Sequence, residues 1–75
     1  MIVEPFFTNR SIEKMEQYHL TENQVMDVFR NGYVDDWEGM KVSTKKYFGY
    51  EIRVFWNRTK KGKYNIISVL KRKRR

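Results

Sequence analysis

The sequence predicts an α+β fold in which two N-terminal helices pack on one face of a three- to four-stranded antiparallel sheet. Two observations predict it. Apolar residues recur at helical spacing up to Gly32, and beyond it they alternate with polar residues at a period of two. All helical segments precede the strand segments, an order typical of α+β proteins. With 75 residues, we expect a single domain, 1–75, with a small core.

Two short helices are predicted in the first half of the chain. The segment TNRSIEKMEQYH offers Thr8 or Asn9 as its N-cap. The segment LTENQVMDVFRNG is a clearer helix, because Thr21 and Gln24 have the spacing of a capping box. Gly32 suits the position just past its C-terminus. Since both helices are too short to persist alone, each must pack on another element.

Three strands are predicted after Gly32, with the sequences KVSTKKYF, YEIRVFW and KYNIISVLK. Gly49 separates the first two, and Gly62 is available for a positive φ in the polar turn before the third. The segment YVDDWEG is either a wide connection or a short extra strand. The opening MIVEPFF can add an edge strand, where Pro5 is tolerated. Residues 72–75 are predicted to be a flexible basic tail.

The alternation within the strands predicts which side chains face the helices. In the strand that starts at Tyr50, the even-numbered residues are predicted to face inward, and Glu51 and Arg53 outward. In the preceding strand the outward residues are predicted to be Lys41, Ser43, Lys45 and Tyr47. A three-residue loop centred on Gly49 places Lys45 opposite Arg53 and Tyr47 opposite Glu51. Because opposed like charges are destabilising, either the register differs or this face is arranged for an anion. The predicted core residues are Ile52, Val54, Trp56, Ile66, Val28 and Phe29.

Composition favours a polyanionic partner. The net charge is +7 and 16% of the residues are aromatic. Lysine and arginine displace the counterions of phosphates, and aromatic rings stack on unpaired bases. The alternative is a basic surface without a partner. The absence of cysteine excludes disulfides and thiolate metal sites, and neither a membrane span nor a signal peptide is recognisable. We therefore expect a soluble cytoplasmic protein without a cofactor or a membrane partner.

The reactive residues favour metal-independent RNA cleavage over other catalysis. A single histidine predicts no metal site, and neither a glycine-rich phosphate loop nor a serine elbow is present. RNA cleavage needs a base, positive charge on the phosphate and an acid. The candidate base is Glu51, and Tyr47 or Lys71 is the candidate acid. The candidates for the positive charge are Arg53, Lys45 and Arg58. The alternative is a structural Glu–Arg pair among exposed lysines. The candidate nucleic-acid-binding residues are Lys45, Arg10, Arg58, Arg72 and Lys73.

Two stretches carry a resemblance to known families. RSIEKMEQYHLTENQVMDVFRNG resembles the helical opening of a small domain family that begins His-Ala-x-x-Arg-Met. FGYEIRVFWNRTKKGKYNIISVLKRKRR is similar to the end of the BrnT-like toxins, where Ile-Ile-Ser-Ala-Arg precedes basic residues. Both families resemble the RelE/ParE superfamily, compact α+β proteins that often act as ribonucleases and are restrained by an antitoxin.

The resemblance covers most of residues 10–75 and implies a role for Arg53, Lys71 and Arg72. The sequence departs from the families at Arg10, where histidine is expected, and at Val69-Leu70, which replace Ala-Arg. We therefore predict a RelE-like domain that acts on RNA, ribosome-bound mRNA included, as a metal-independent endoribonuclease restrained by a small acidic antitoxin. Two alternatives stay open. One is a non-catalytic viral or plasmid-borne protein that binds single-stranded nucleic acid, and the other is a protein-interaction module that uses the aromatic residues.

Overall fold

The computed structural model describes residues 4–73 and shows an open five-stranded sheet with two helices against one face. The elements, in chain order, are β1 (Phe6–Phe7), α1 (Asn9–Gln17), α2 (Glu22–Asn31), β2 (Tyr33–Trp37), β3 (Met40–Tyr47), β4 (Tyr50–Arg58) and β5 (Tyr64–Lys73). Across the sheet the strand order is β1-β5-β4-β3-β2. The predicted α+β class and the predicted helix pair are confirmed.

The sheet is larger than predicted and mixed rather than antiparallel. Of the two alternatives for YVDDWEG, the extra strand is correct, because β2 pairs with β3. Strand β1 lies parallel to β5, with Phe6 opposite Asn65 and Phe7 opposite Ile66. No hairpin joins β1 to β5, so turn geometry does not set their relative direction. The Thr8 hydroxyl instead anchors β1 by donating to the carbonyl oxygen of Ile66 at 2.8 Å.

Side-chain caps begin both helices. Thr21 and Gln24 form the predicted capping box, in which each side chain bonds the backbone of the other residue. Thr8 is the N-cap of α1 and accepts a hydrogen bond from the Ser11 backbone N–H at 3.2 Å. Ser11 is fully buried and returns a hydrogen bond to the Thr8 carbonyl at 2.7 Å. Because Thr8 also bonds β5, this one residue joins α1 to the sheet.

Gly32 ends α2 for a reason other than the predicted one. Its φ is −75°, so the position does not need the left-handed conformation that glycine adopts easily. A Cβ atom at Gly32 would instead lie 2.5 Å from the Val28 carbonyl oxygen and 3.0 Å from that of Thr44. Glycine is needed here because the chain passes between the end of α2 and β3.

The core lies between the helices and the sheet. Its buried apolar residues are Leu20, Val25, Val28, Ile52, Val54, Ile66 and Val69. The prediction of Ile52, Val54, Ile66 and Val28 as buried is confirmed. Phe29 and Trp56 are partly buried and pack on this cluster, with their rings edge to face at 5.1 Å between centroids. The predicted inward face of β4 is therefore correct.

The predicted orientation of β3 is wrong by one residue. Its turn to β4 has two residues, Phe48 and Gly49, and Tyr47 pairs with Tyr50. Gly49 has a φ of +84°, which a two-residue turn requires here. Since side chains alternate, the shift of one residue moves Ser43, Lys45 and Tyr47 to the helix side.

The outward residues of β3 are therefore Val42, Thr44 and Lys46, which pair with Phe55, Arg53 and Glu51. The opposition of Lys45 to Arg53 that the three-residue loop predicts does not occur, because Lys45 pairs with Ile52. Ser43 fixes the observed register. Its hydroxyl accepts a hydrogen bond from the Trp56 indole at 2.8 Å and reaches the Phe29 carbonyl at 3.4 Å.

Strand β5 contains a bulge and extends further than expected. The β4–β5 register shifts between Phe55 and Trp56, which leaves Ile67 as an extra residue on β5. The bulge lets Ile66 and Val69, three residues apart, both face the core. Arg72 and Lys73 belong to the strand, although residues 72–75 are predicted to be a tail. Arg74 and Arg75 lie outside the described residues.

Removal of a core side chain should cost a large share of the folding free energy. We expect Ile52→Ala to lower the free energy of unfolding by about 2–5 kcal/mol, because Ile52 is fully buried. Ile12→Ala is the matched control, since Ile12 lies on α1 and is 43% exposed. Urea unfolding measures both variants. Equal losses would contradict the placement of the core.

Candidate nucleic-acid interface

The sheet separates the predicted site residues onto its two faces. Glu51, Arg53 and Arg72 lie on the face that the helices leave open, and Arg10 of α1 reaches that face beside Ile67 and Ser68. The predicted site residues on the helix side are Lys45, Tyr47, Lys71, Lys73 and Arg58. The predicted base therefore lies across the sheet from the predicted acids, Tyr47 and Lys71. These residues do not form one catalytic site.

Basic and aromatic residues instead gather at one end of the sheet, where β3 turns into β4 and β5 ends. Strand pairing sets Lys73 opposite Tyr50, Lys71 opposite Ile52, and Arg72 opposite Glu51. Lys46 lies opposite Glu51 on the other side. We call this end the basic rim, and its residues are Lys45, Lys46, Tyr47, Phe48, Tyr50, Lys71, Arg72 and Lys73. Arg58 lies outside it, at the β4–β5 turn, over the Tyr64 ring.

Aromatic rings separate the lysines of the basic rim. Tyr47 and Tyr50 stack with 5.0 Å between ring centroids and 13° between planes. The Lys45 ammonium lies 5.5 Å from the Tyr47 centroid, and the Lys71 ammonium lies 4.7 Å from the Tyr50 centroid. These cation–π contacts place the two ammonium groups over the rings of the stacked tyrosines. The tyrosine pair therefore positions Lys45 and Lys71.

Phe48 is the most exposed large apolar residue of the described chain, at 102% of its reference surface. It occupies the tip of the β3–β4 turn, between Lys46 and the lysines at the end of β5. Exposure of a whole phenylalanine ring is costly in water and contributes nothing to the core. A single exposed ring is common on protein surfaces, so Phe48 is informative only together with the tyrosine pair and the cations of the basic rim.

Asp27 of α2 joins the helix layer to the basic rim. Its carboxylate accepts hydrogen bonds from Lys45 at 2.5 Å, Asn31 at 2.8 Å and Tyr47 at 3.1 Å. The hydrogen bond from Lys45, followed by that from Asn31, lowers the pKa of Asp27 below its ordinary 3.8. The same Lys45 bond raises the pKa of Lys45. Burial, with the Asp27 bond, raises the pKa of Tyr47, so the phenol keeps its proton at neutral pH.

On the open face, Glu51 and Arg53 form an ion pair within one strand. The Arg53 Nε donates to Glu51 Oε2 at 3.0 Å, and the Glu51 residue is only 8% exposed. Lys46 and Arg72 flank Glu51 on the neighbouring strands. A carboxylate held this way balances surrounding positive charge. Its geometry matches the structural alternative better than that of a general base.

Asp27, Lys46, Phe48 and Tyr50 are the site residues that sequence reasoning missed. Phe48 directly precedes Gly49, and a two-residue turn at that pair would have placed its ring in solvent. The sequence gives Asp27 no distinguishing pattern, because its partners lie 18 and 20 residues away on β3. Tyr50 is predicted only as an inward residue of β4.

The described part of the chain contains neither a cluster of metal-binding side chains nor a membrane-spanning helix. Residues 4–73 contain no group of three His, Cys, Asp or Glu side chains that could hold a metal ion. Over the same residues, no helix combines the length and apolar character needed to cross a bilayer.

In comparisons with known proteins, the chain matches no family model, no curated protein and no solved structure. Membership of the RelE/ParE superfamily therefore stays a prediction.

The Asp27 cluster should make folding stability sensitive to acid. A carboxyl group whose pKa is lowered on folding stabilises the native state above its ordinary pKa, and the effect is lost as pH falls through the lowered value. We therefore expect Asp27→Asn to flatten the decline in unfolding free energy as pH falls below the ordinary carboxyl pKa of 3.8. Denaturant titration at each pH measures it. Asp35→Asn, on exposed β2, is the control and should keep the wild-type slope; equal slopes for wild type and Asp27→Asn would contradict the proposed coupling.

Proposed function

We propose that this protein binds single-stranded RNA at the basic rim. The observation that carries the proposal is the fully exposed Phe48 ring at a turn surrounded by rim cations. A single strand presents both unpaired bases, which stack on aromatic rings, and phosphates, which pair with lysine and arginine. A duplex hides its bases and would leave Phe48 without a partner. The net charge of +7 supports a polyanionic ligand.

The position of each side chain on the basic rim indicates which part of the RNA it would contact. Phe48 stacks on a base, while Lys71 and Lys73 at the end of β5 contact the phosphates on the helix side of the turn. Lys46 and Arg72 contact phosphates on the open-face side. The Asp27 carboxylate compensates much of the positive charge of Lys45, because the two groups form an ion pair. Lys45 therefore contributes less to phosphate binding than its neighbours on β5. Lys71 is held by the Tyr50 ring and is the best-ordered phosphate contact.

Binding should be strongly salt-dependent and should depend on the position of each charge. We expect the log–log slope of affinity against salt to fall by about 0.7 in Lys71→Gln, which removes one phosphate contact. Lys61→Gln removes the same charge from the β4–β5 turn at the other end of the sheet and is the matched control. Fluorescence anisotropy with a labelled single-stranded RNA measures both slopes. If both substitutions have the same effect, net charge alone explains binding and the rim is not the site.

The stacking residue can be tested separately from the charges. Phe48→Ala should weaken binding by about 1–3 kcal/mol, the usual contribution of one stacked base. Phe6→Ala is the matched control, because Phe6 is 67% exposed on the edge strand β1, away from the rim. Neither substitution touches the core, so unfolding midpoints should change little. Loss of binding in Phe6→Ala, or none in Phe48→Ala, would reject the rim.

A second candidate function is RNA cleavage without a metal, and the Asp27, Lys45 and Tyr47 cluster favours it. These three groups are joined by hydrogen bonds at the basic rim, and they combine a carboxylate, an ammonium and a protonated phenol. Asp27 can accept the proton of the attacking 2′-hydroxyl, Lys45 can stabilise the negative charge that develops on the phosphate, and Tyr47 can donate a proton to the leaving 5′ oxygen as its bond to phosphorus breaks. The small acidic antitoxin belongs to this second proposal, as a partner that would cover the rim.

Cleavage should persist in EDTA and leave 2′,3′-cyclic phosphate ends if this second proposal is correct. Tyr47→Phe should then abolish most cleavage while RNA binding continues, because the ring stays and only the acid is lost. Tyr33→Phe, a phenol on exposed β2, is the control. If Arg53→Ala abolishes cleavage and Tyr47→Phe does not, the chemistry lies on the open face. If wild-type protein leaves both naked RNA and ribosome-bound mRNA intact, the protein is a binder only.

A further inference from the structure

The open face of the sheet contains a groove that no helix covers. Trp37 of β2 and Phe55 of β4 meet edge to face at its centre, with 5.6 Å between ring centroids. Trp37 is 50% exposed. Arg53 lines the groove on one side of this aromatic pair, and Arg10 of α1 lines it on the other. The groove therefore combines aromatic surface with two guanidinium groups.

The charges within the groove are separated by strand. Arg53 of β4 lines the groove while its Nε donates to Glu51, and Arg10 reaches the groove beside Ile67 and Ser68 of β5. Asp35 of β2 lines the opposite side, where its carboxylate repels phosphate. A nucleic-acid strand in the groove would consequently place its phosphates over β4 and β5. Its bases would point toward Trp37.

The groove and the basic rim share the open face of the sheet. Arg72 lies opposite Glu51 at the rim, Arg53 follows two residues along β4, and Phe55 two residues further. Two residues of a strand span about 6.8 Å, so the path from the rim to Phe55 is about 14 Å. A strand bound at the rim must therefore extend by several nucleotides to reach Trp37.

We propose that the groove is a second binding segment for the same single-stranded RNA, with Trp37 stacking on a base several nucleotides from the one at Phe48. This inference rests on the proposed function, because the strand must first bind at the basic rim. It assigns Arg53 and Arg10 to phosphate contacts on either side of the aromatic pair. Binding at full affinity therefore requires an RNA longer than the basic rim alone can hold.

Tryptophan fluorescence of the full chain tests the groove directly, because the other tryptophan, Trp56, packs on the core and bonds Ser43. A single-stranded RNA of about nine nucleotides should quench Trp37, and one of about three should not. Trp37→Ala should remove the quenching and weaken binding of the longer RNA about tenfold, while binding of the shorter one is unchanged. Val34→Ala, on the other face of β2, is the matched control and should bind both as wild type does.

Arg10→Gln gives a second test on an exposed helix position that cannot disturb the sheet. It should weaken binding of the longer RNA only. Quenching of Trp37 by the short RNA, or equal quenching by duplex RNA, would overturn the groove. So would wild-type affinity for the longer RNA in Trp37→Ala and Arg10→Gln. If Phe48→Ala weakens binding in the same assay, the rim proposal survives that loss; if no RNA binds at all, the rim proposal itself has failed.

Discussion

The pairing of β3 with β4 determines which face of the sheet each side chain of β3 occupies. A two-residue turn sets Tyr47 opposite Tyr50, and from that pair outward each residue of β3 is assigned to one face. Ser43 holds the register from the middle of the strand, because its buried hydroxyl joins the Trp56 indole to the end of α2. A slip of one residue would bury Lys46 under the helices and expose Ser43. The hydrogen bond and the turn therefore select the same arrangement.

Much of the fold can be predicted from the sequence because its strongest patterns are local. The Thr21–Gln24 box begins α2, and the alternation in β4 places Ile52 and Val54 in the core. The orientation of β3 depends on whether the loop at Gly49 has two or three residues, and both lengths are common in hairpins. Because the loop is one residue shorter than predicted, the two faces of β3 are exchanged. The direction of β1 could not be predicted either, since it depends on a contact 58 residues away.

The difference between local sequence patterns and long-range contacts also explains why the candidate site was predicted only in part. Lys71 and Arg72 follow directly from the strand that ends the chain, and both lie on the basic rim. Tyr47 and Glu51, close in sequence, lie on opposite faces, so their grouping depends on the β3–β4 register alone. Asp27 meets Lys45 only after α2 has packed on β3. A site assembled by tertiary contacts leaves no spacing in the sequence to recognise.

Asp27 also relates the function of the basic rim to the stability of the fold. Five cationic side chains at one end of a small sheet repel each other, and the described core is too small to absorb much repulsion. Asp27 and Glu51 each place a carboxylate among these charges, one on each face. The two carboxylates thus reduce the repulsion within the basic rim while most of its positive charge remains.

Strand β2 has a consequence for self-association. It is the outer strand of the sheet, all five of its residues are exposed, and on its free side it has no partner strand among residues 4–73. Edges of this kind recruit identical strands into fibrils. If two copies of β2 paired antiparallel about their centres, Asp35 would face Asp35 and the two carboxylates would repel. The aromatic residues at the ends of β2 would favour pairing of two such strands, whereas the charged carboxylate at the midpoint would oppose it at neutral pH.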